Sequence, residues 1–183
     1  MKPTSMPISL HSYKNKIEFK QSNKSHEFIT REISKREKYI EQGKLLHYVF
    51  STIHTKKDVD FSISQLRMDG IIASNEQEKE IRELTEKALN QPEVQEWFDG
   101  TKELFNECTI LYKNNEGELL TKRPDRVMVT GKDAIIVDFK FGQRREEYVR
   151  QVQEYKDLML QMGYLHIKGY LWYVFDQIIE EIK

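Results

Sequence analysis

An apolar strand that runs directly into charged side chains constrains this fold more than any other feature of the sequence. Ala134–Val137 is uninterruptedly apolar, and Asp138, Phe139 and Lys140 follow it. Charged groups rarely lie in a core unless they are paired or bind a metal ion. Side chains of a strand repeat with a period of two, so Asp138 and Lys140 are expected on one face. Phe139, between them, is expected to point to the opposite face, into the core.

A second strand-like run precedes the first and is joined to it by the tight turn Thr130–Asp133. In an antiparallel hairpin the start of the first strand meets the end of the second, so Asp125 is expected beside Asp138. With the Phe139 carbonyl and the nearby Lys140 ammonium, one edge would then offer three oxygen ligands and a cation. Such oxygen ligands suit Mg²⁺ or Mn²⁺. The sequence therefore predicts a divalent-metal site.

Three motifs, found in one order along the chain, resemble the PD-(D/E)XK nuclease superfamily. Pro124-Asp125, twelve intervening residues and Asp138-Phe139-Lys140 are similar to its signature. Gln151–Tyr155 is similar to the QxxxY element of the RecB/AddA branch, and Gly43–His47 to that branch's glycine-then-histidine helix. The chain resembles in particular the C-terminal nuclease domain of a UvrD-like helicase–nuclease.

The resemblance implies a Mg²⁺- or Mn²⁺-dependent exonuclease that hydrolyses phosphodiester bonds at DNA ends, in double-strand-break repair or recombination. The resemblance also implies that the nuclease acts together with a helicase, either a domain of the same longer chain or a partner subunit. The implied metal ligands are four groups: His47, Asp125, Asp138 and the Phe139 carbonyl. Lys140 would orient the attacking water and stabilise developing charge. Gln151 and Tyr155, four apart on one helix face, would orient the metal-site groups and the nucleic-acid backbone.

Other charged residues near these motifs have two interpretations. Glu107 falls where related enzymes often carry an acid, but an exposed strand position explains it at least as well. Arg144, Arg145, Arg150 and Lys156 could bind DNA phosphates, and solvated helix charge is an equally good explanation for each.

Simpler alternatives exist for the motif residues too. His47 could be an ordinary core histidine on an apolar helix face, and Asp125 a turn residue after proline. Two departures from the family pattern concern the immediate surroundings: Arg123-Pro124 stands where a glycine often precedes the aspartate, and Phe139 and Phe141 replace the usual tyrosine and threonine.

The alternative function is a catalytically silent nuclease-like domain that binds DNA or docks a helicase partner. The complete Asp-Asp-Lys set favours an active nuclease over such a silent domain.

Composition excludes several classes of protein. The formal net charge of −1 argues against a protein that coats nucleic acid, although residues 1–44 are basic and residues 75–107 acidic. No stretch is as long and apolar as a membrane helix, no secretory signal is recognisable, and a cytoplasmic location is expected. The single cysteine, Cys108, cannot form an internal disulfide and is expected in a buried strand. No P-loop motif is present, so ATP hydrolysis is not expected here.

The hydrophobic periodicity predicts an α/β fold with a mixed central sheet flanked by helices, and the resemblance specifies a restriction-endonuclease-like core. Residues 1–25 are expected to be loop with an extended piece. Residues 26–183 are expected to form one nuclease-like domain, with a helical part over 26–100 and a sheet core over 101–183. The pattern predicts helices over 26–42, 44–54, 58–68, 74–90, 92–98 and 146–162. It predicts strands over 102–112, from Glu118 onward into the run that carries Asp125, over 134–137 leading directly into Asp138, and over 169–175.

Overall fold

A computed structural model describes residues 23–114 and 116–183. Contacts divide the chain between Glu37 and Lys38. The first unit is described only over residues 23–37, which form the beginning of a long helix. The unit from Lys38 onward contains the sheet and every site discussed below. The expected N-terminal loop lies outside the described residues up to position 22, and residues 23–25 are helical, where a loop was predicted.

The helices are α1 (Asn23–Thr52), α2 (Val59–Met68), α3 (Asn75–Leu89), α4 (Pro92–Gln95) and α5 (Glu146–Gln161), with 3₁₀ turns at Lys56–Asp58 and Glu96–Phe98. The strands are β1 (Glu103–Asn106), β2 (Ile110–Lys113), β3 (Leu119–Lys122), β4 (Arg126–Thr130), β5 (Asp133–Lys140), β6 (His166–Tyr173) and β7 (Ile178–Ile182). Within the described residues, no helix is both long and apolar enough to cross a bilayer.

Five strands form one mixed sheet in the order β1-β4-β5-β6-β7, and β2 and β3 pair separately. Neighbouring strands of the large sheet are antiparallel except β5 and β6, which are parallel and are connected through α5. The predicted α/β class with a mixed sheet, flanking helices and a helical N-terminal portion is confirmed. β7 was not predicted, because Glu180 and Glu181 interrupt its apolar pattern at the sheet edge.

The two faces of the sheet pack against different helices, as the alternation of side chains along a strand requires. On one face Met128, Val137, Phe139 and Trp172 pack with buried residues of the helices that precede the sheet. On the other face, alternate strand residues such as Ile136 meet α5. Phe139 is buried among the first group, as predicted, so the alternate residues Asp138 and Lys140 belong to the α5 face.

Gly43 does not divide α1 into two helices, contrary to the prediction. The helix continues through it, and a Cβ placed there would lie 3.0 Å from the Phe141 Cβ. Glycine at this position therefore allows α1 to lie close to the end of β5, rather than breaking the helix.

The predicted strand 102–112 is broken into β1 and β2, because the backbone turns at Glu107 with a φ of 50°. Cys108 follows that turn and is exposed, so its expected place in a buried strand is wrong. The strand predicted from Glu118 onward is also interrupted: β3 pairs with β2, and Asp125 lies in the bend before β4.

Candidate metal centre

His47 from α1 faces two carboxylates of the later sheet. Its Nε2 lies 3.4 Å from Asp125 Oδ1 and 3.3 Å from Glu107 Oε1. One ligand atom from each of the three residues lies within 4.8 Å of the other two. The pKa of His47 is raised, since its hydrogen bond to Asp125 outweighs the opposing effect of burial and both carboxylates favour the imidazolium. His47 is therefore half-buried at a charged site, and not a core histidine.

Glu107 occupies a backbone conformation that non-glycine residues rarely adopt. Its N–H donates to the Asp125 carbonyl (2.9 Å), which holds this turn beside the bend before β4. One carboxylate oxygen, Oε2, lies 2.9 Å from Arg123 Nε. The other, Oε1, is buried beside His47 and accepts no hydrogen bond from the described residues. A strained backbone that holds a carboxylate between His47 and Arg123 is typical of a functional position.

Asp125 uses both carboxylate oxygens. Oδ1 meets His47, and Oδ2 accepts a 2.6 Å hydrogen bond from the Phe139 N–H. The β4–β5 register pairs Arg126 with Val137, so its continuation places Asp125 opposite Asp138. The hairpin thus brings the two predicted aspartates to the same end of the sheet. The contacts with His47 and the Phe139 N–H, and not local turn geometry, fix the Asp125 carboxylate.

Asp138 is 2% exposed and forms an ion pair with Lys140 on the α5 face. Burial, and after it the negative charge of Asp125, raise the pKa of Asp138 to about 6 against the opposing effects of Lys140 and His47. Its Oδ2 is the oxygen that pairs with Lys140, and no other described residue donates to that oxygen. Asp138 does not belong to the tight group formed by His47, Glu107 and Asp125.

Gln151 and Tyr155 of α5 form hydrogen bonds with Lys140 on one side and with the segment before Asp125 on the other. Lys140 Nζ donates to Gln151 Oε1 (3.3 Å), and Gln151 Nε2 donates to the Tyr155 hydroxyl (2.7 Å). That hydroxyl donates to the Arg123 carbonyl (3.3 Å), and burial raises the pKa of Tyr155. The chain of hydrogen bonds fixes Lys140 relative to the segment that leads into Asp125.

The buried Arg126 of β4 forms hydrogen bonds with the end of α1, the helix that carries His47. Its side chain is 1% exposed and lies over the Phe98 ring, 3.9 Å from the centroid. The guanidinium donates to the carbonyls of Ile53, His54 and Trp97, with donor–acceptor distances of 2.7–3.0 Å. Burial lowers the pKa of Arg126 to about 9, which leaves it cationic at neutral pH. The helix that carries His47 is thereby tied to the strand that follows Asp125.

The four predicted DNA-binding cations have different environments. Arg144 lies over the Tyr173 ring, 5.1 Å from its centroid, and Arg145 pairs with Glu147 at 3.1 Å. Arg150 is exposed on α5. Lys156 instead donates to the Ile182 carbonyl (2.7 Å), a contact that ties α5 to β7.

Arg123 was not singled out as a site residue, although its departure from the family pattern was visible in the sequence. Its side chain is 63% exposed, and Glu107 holds its Nε at the edge of the centre. An anchored arginine suits a phosphate contact, because its planar group offers several donors.

The donor set fits a divalent cation. Two carboxylates and an imidazole converge, and the buried oxygens Glu107 Oε1 and Asp138 Oδ2 have His47 and Lys140 as their polar partners, so oxygen and nitrogen donors that suit such an ion are concentrated here. The sequence matches no family model, and no curated protein is significantly similar to it.

Proposed function

We propose that this chain is a metal-dependent nuclease that hydrolyses the phosphodiester bonds of DNA. The observation that carries the proposal is the meeting of His47, Glu107 and Asp125 beside the buried Asp138–Lys140 ion pair. The motif order that resembles PD-(D/E)XK nucleases agrees with this arrangement.

His47, Glu107 and Asp125 would hold Mg²⁺ or Mn²⁺, with Asp138 completing the anionic side of the site. When bound, such an ion lowers the pKa of a coordinated water and polarises a phosphoryl oxygen. The predicted contribution of the Phe139 carbonyl stays a prediction, while the Phe139 N–H orients the Asp125 carboxylate.

Lys140 is the group suited to the reacting phosphate. It is held by Asp138 and Gln151, and its ammonium also lies 4.3 Å from the centroid of the Tyr148 ring. A cation held by three neighbours loses little freedom when it orients a water or stabilises negative charge on phosphate. Removing a preorganised donor of this kind typically costs about 10²–10³-fold in rate.

The narrower proposal is an exonuclease that acts on DNA ends beside a helicase, in the same longer chain or as a partner subunit. It rests on the resemblance of Gly43–His47 and Gln151–Tyr155 to the RecB/AddA branch. The comparison of linear with closed circular DNA tests the exonuclease, and the addition of a helicase partner tests the association.

The direct test is incubation of the protein with linear single- and double-stranded DNA in Mg²⁺, Mn²⁺ or EDTA. We expect digestion with metal, none in EDTA, and at least a 100-fold loss in Lys140→Ala and Asp125→Asn. Lys79→Gln serves as a control, since Lys79 is a 77% exposed cation on α3 with no place in the proposed site, and should retain most of the activity. DNA binding with no turnover by the parent in either metal would favour the silent, DNA-binding alternative and contradict the proposal.

A further inference from the structure

An open cleft lies directly beside the metal centre. It has a volume of about 390 Å³ and is lined by Tyr39, Ile40, Gly43, Lys44, His47 and Phe141, which we call the Tyr39 cleft. His47 belongs both to this cleft and to the metal centre. The volume falls within the roughly 300–1,000 Å³ that is usual for small-molecule sites. Whatever occupies the cleft would therefore lie next to the reacting groups.

Aromatic rings connect the mouth of the cleft to the metal centre. The Tyr39 and Phe175 centroids are 4.2 Å apart, those of Phe175 and Phe141 5.6 Å, and those of Phe141 and His47 6.2 Å. Each distance is close to or within the range of interacting aromatic pairs. Tyr39 itself is 42% exposed, so part of its surface is available to a ligand.

The cleft combines apolar faces with one cation. Ile40 is half exposed beside Tyr39. Gly43 has no side chain, so Phe141 can pack directly against α1. Lys44 supplies an exposed ammonium on the same wall. Flat apolar surface with an adjacent cation matches a nucleobase joined to a phosphate, since bases stack on aromatic rings and phosphates attract lysine.

Duplex DNA cannot use such a cleft without distortion, because its bases are stacked on one another and paired. A single strand can turn one base aside at little cost. We propose that the Tyr39 cleft binds an unstacked base of single-stranded nucleic acid, next to the phosphate held at the metal centre. This inference rests on the proposed nuclease function and narrows its substrate to single-stranded segments.

Binding of fluorescein-labelled oligonucleotides by the full chain tests the inference without turnover, with Ca²⁺ in place of Mg²⁺. The probes are a 20-residue oligothymidylate, the same backbone with abasic positions, and a blunt duplex. Tyr39→Ala should bind oligothymidylate roughly 5- to 150-fold more weakly than the parent, as expected for one lost base–aromatic stack. Tyr39→Trp should bind it within about two-fold of the parent, because the stacking surface is kept.

Two comparisons separate stacking from general damage. The abasic probe should bind equally to the parent and to Tyr39→Ala, and the duplex should not distinguish them. Phe61→Ala is the matched control, an aromatic on α2 that is 69% exposed and should leave all three affinities unchanged.

Equal binding of oligothymidylate by the parent and Tyr39→Ala, in a parent that digests DNA, overturns the cleft assignment and leaves the nuclease proposal standing. A parent that binds none of the probes also overturns it, and the digestion assay then reports separately on the nuclease. A Tyr39-dependent dimer in sedimentation experiments would show that a second copy covers the cleft, which also contradicts the inference.

Discussion

Replacing Arg126 by methionine tests whether one buried cation holds the helix that carries His47 in place. Methionine has a similar length and suits an apolar interior, so the variant removes the guanidinium and retains most of the packing volume. The carbonyls of Ile53, His54 and Trp97 would then lose their donors, and α1 would lose the cation at its C-terminal end.

The magnitude follows from those contacts. The Trp97 carbonyl would lose both of its buried hydrogen bonds, and an unsatisfied buried acceptor costs about 1–3 kcal/mol. The Ile53 carbonyl loses one bond but keeps the one from Asn106 Nδ2 (3.3 Å), so it costs less. The half-buried His54 carbonyl adds less, since water can reach it. The variant no longer desolvates a cation, which offsets part of this loss. We expect a net decrease of about 2 kcal/mol in the free energy of unfolding, a substantial share of the roughly 5–15 kcal/mol typical of a domain.

Urea unfolding followed by tryptophan fluorescence measures this loss, because Trp97 and Trp172 lie together in the core with ring centroids 5.9 Å apart. Arg126→Lys should recover little, since an ammonium cannot reproduce the planar fork that reaches three carbonyls. Arg150→Met, on the exposed face of α5, should change the free energy of unfolding by less than about 0.5 kcal/mol. A change below about 1 kcal/mol in Arg126→Met would refute the anchoring role.

Three further predictions concern the site. Arg123→Gln should raise KM for DNA about 3- to 10-fold at low salt with kcat nearly unchanged, as expected if the exposed guanidinium, anchored by Glu107, contacts a phosphate away from the reacting atoms. The effect should fade as the salt concentration increases. Burial raises the pKa of Asp138 from 3.8 to about 6, so the protonated carboxyl stabilises the fold below pH 4 and this contribution is lost as the pH rises through 6. In EDTA, Asp138→Asn should therefore be more stable than the parent by about 1–3 kcal/mol at pH 7.5 and by much less at pH 4. Urea titrations at both pH values measure the difference. Gly43→Ala should lower the free energy of unfolding by about 1 kcal/mol in thermal melts, because the strain against Phe141 exceeds the gain in helix propensity; a more stable variant would contradict this packing.

Glu107 shows how tertiary structure changes the importance of a residue. The sequence places it in an alternating stretch, where an exposed strand position was the better explanation. In the fold, its left-handed backbone ends β1 and turns the carboxylate toward His47, 60 positions earlier in the chain. No local pattern predicts that turn, because Glu107 is not glycine, asparagine or aspartate, the residue types that most often adopt a positive φ.

Local patterns were sufficient for the hairpin that carries the acids. Its turn, its two-residue periodicity and the spacing of Asp125 from Asp138 are short-range properties, so they could be read directly from the sequence. The face shared by Asp138 and Lys140, and the burial of Phe139, follow from the same alternation. The mixed sheet with flanking helices was also predictable, since helical and strand periods occupy different parts of the chain.

Long-range packing decided the rest. His47 reaches Asp125 because α1 lies against β5 and its end is held by Arg126, contacts between residues about 70–80 positions apart. The Tyr39 cleft likewise arises where α1, the end of β5 and Phe175 meet. Hydrophobic attraction has no direction and many pairings would bury similar area, so periodicity reveals which residues are buried but not which helix covers which strand. The residues of the hairpin were thus determined locally, and the partners that complete its site were determined by the packed core.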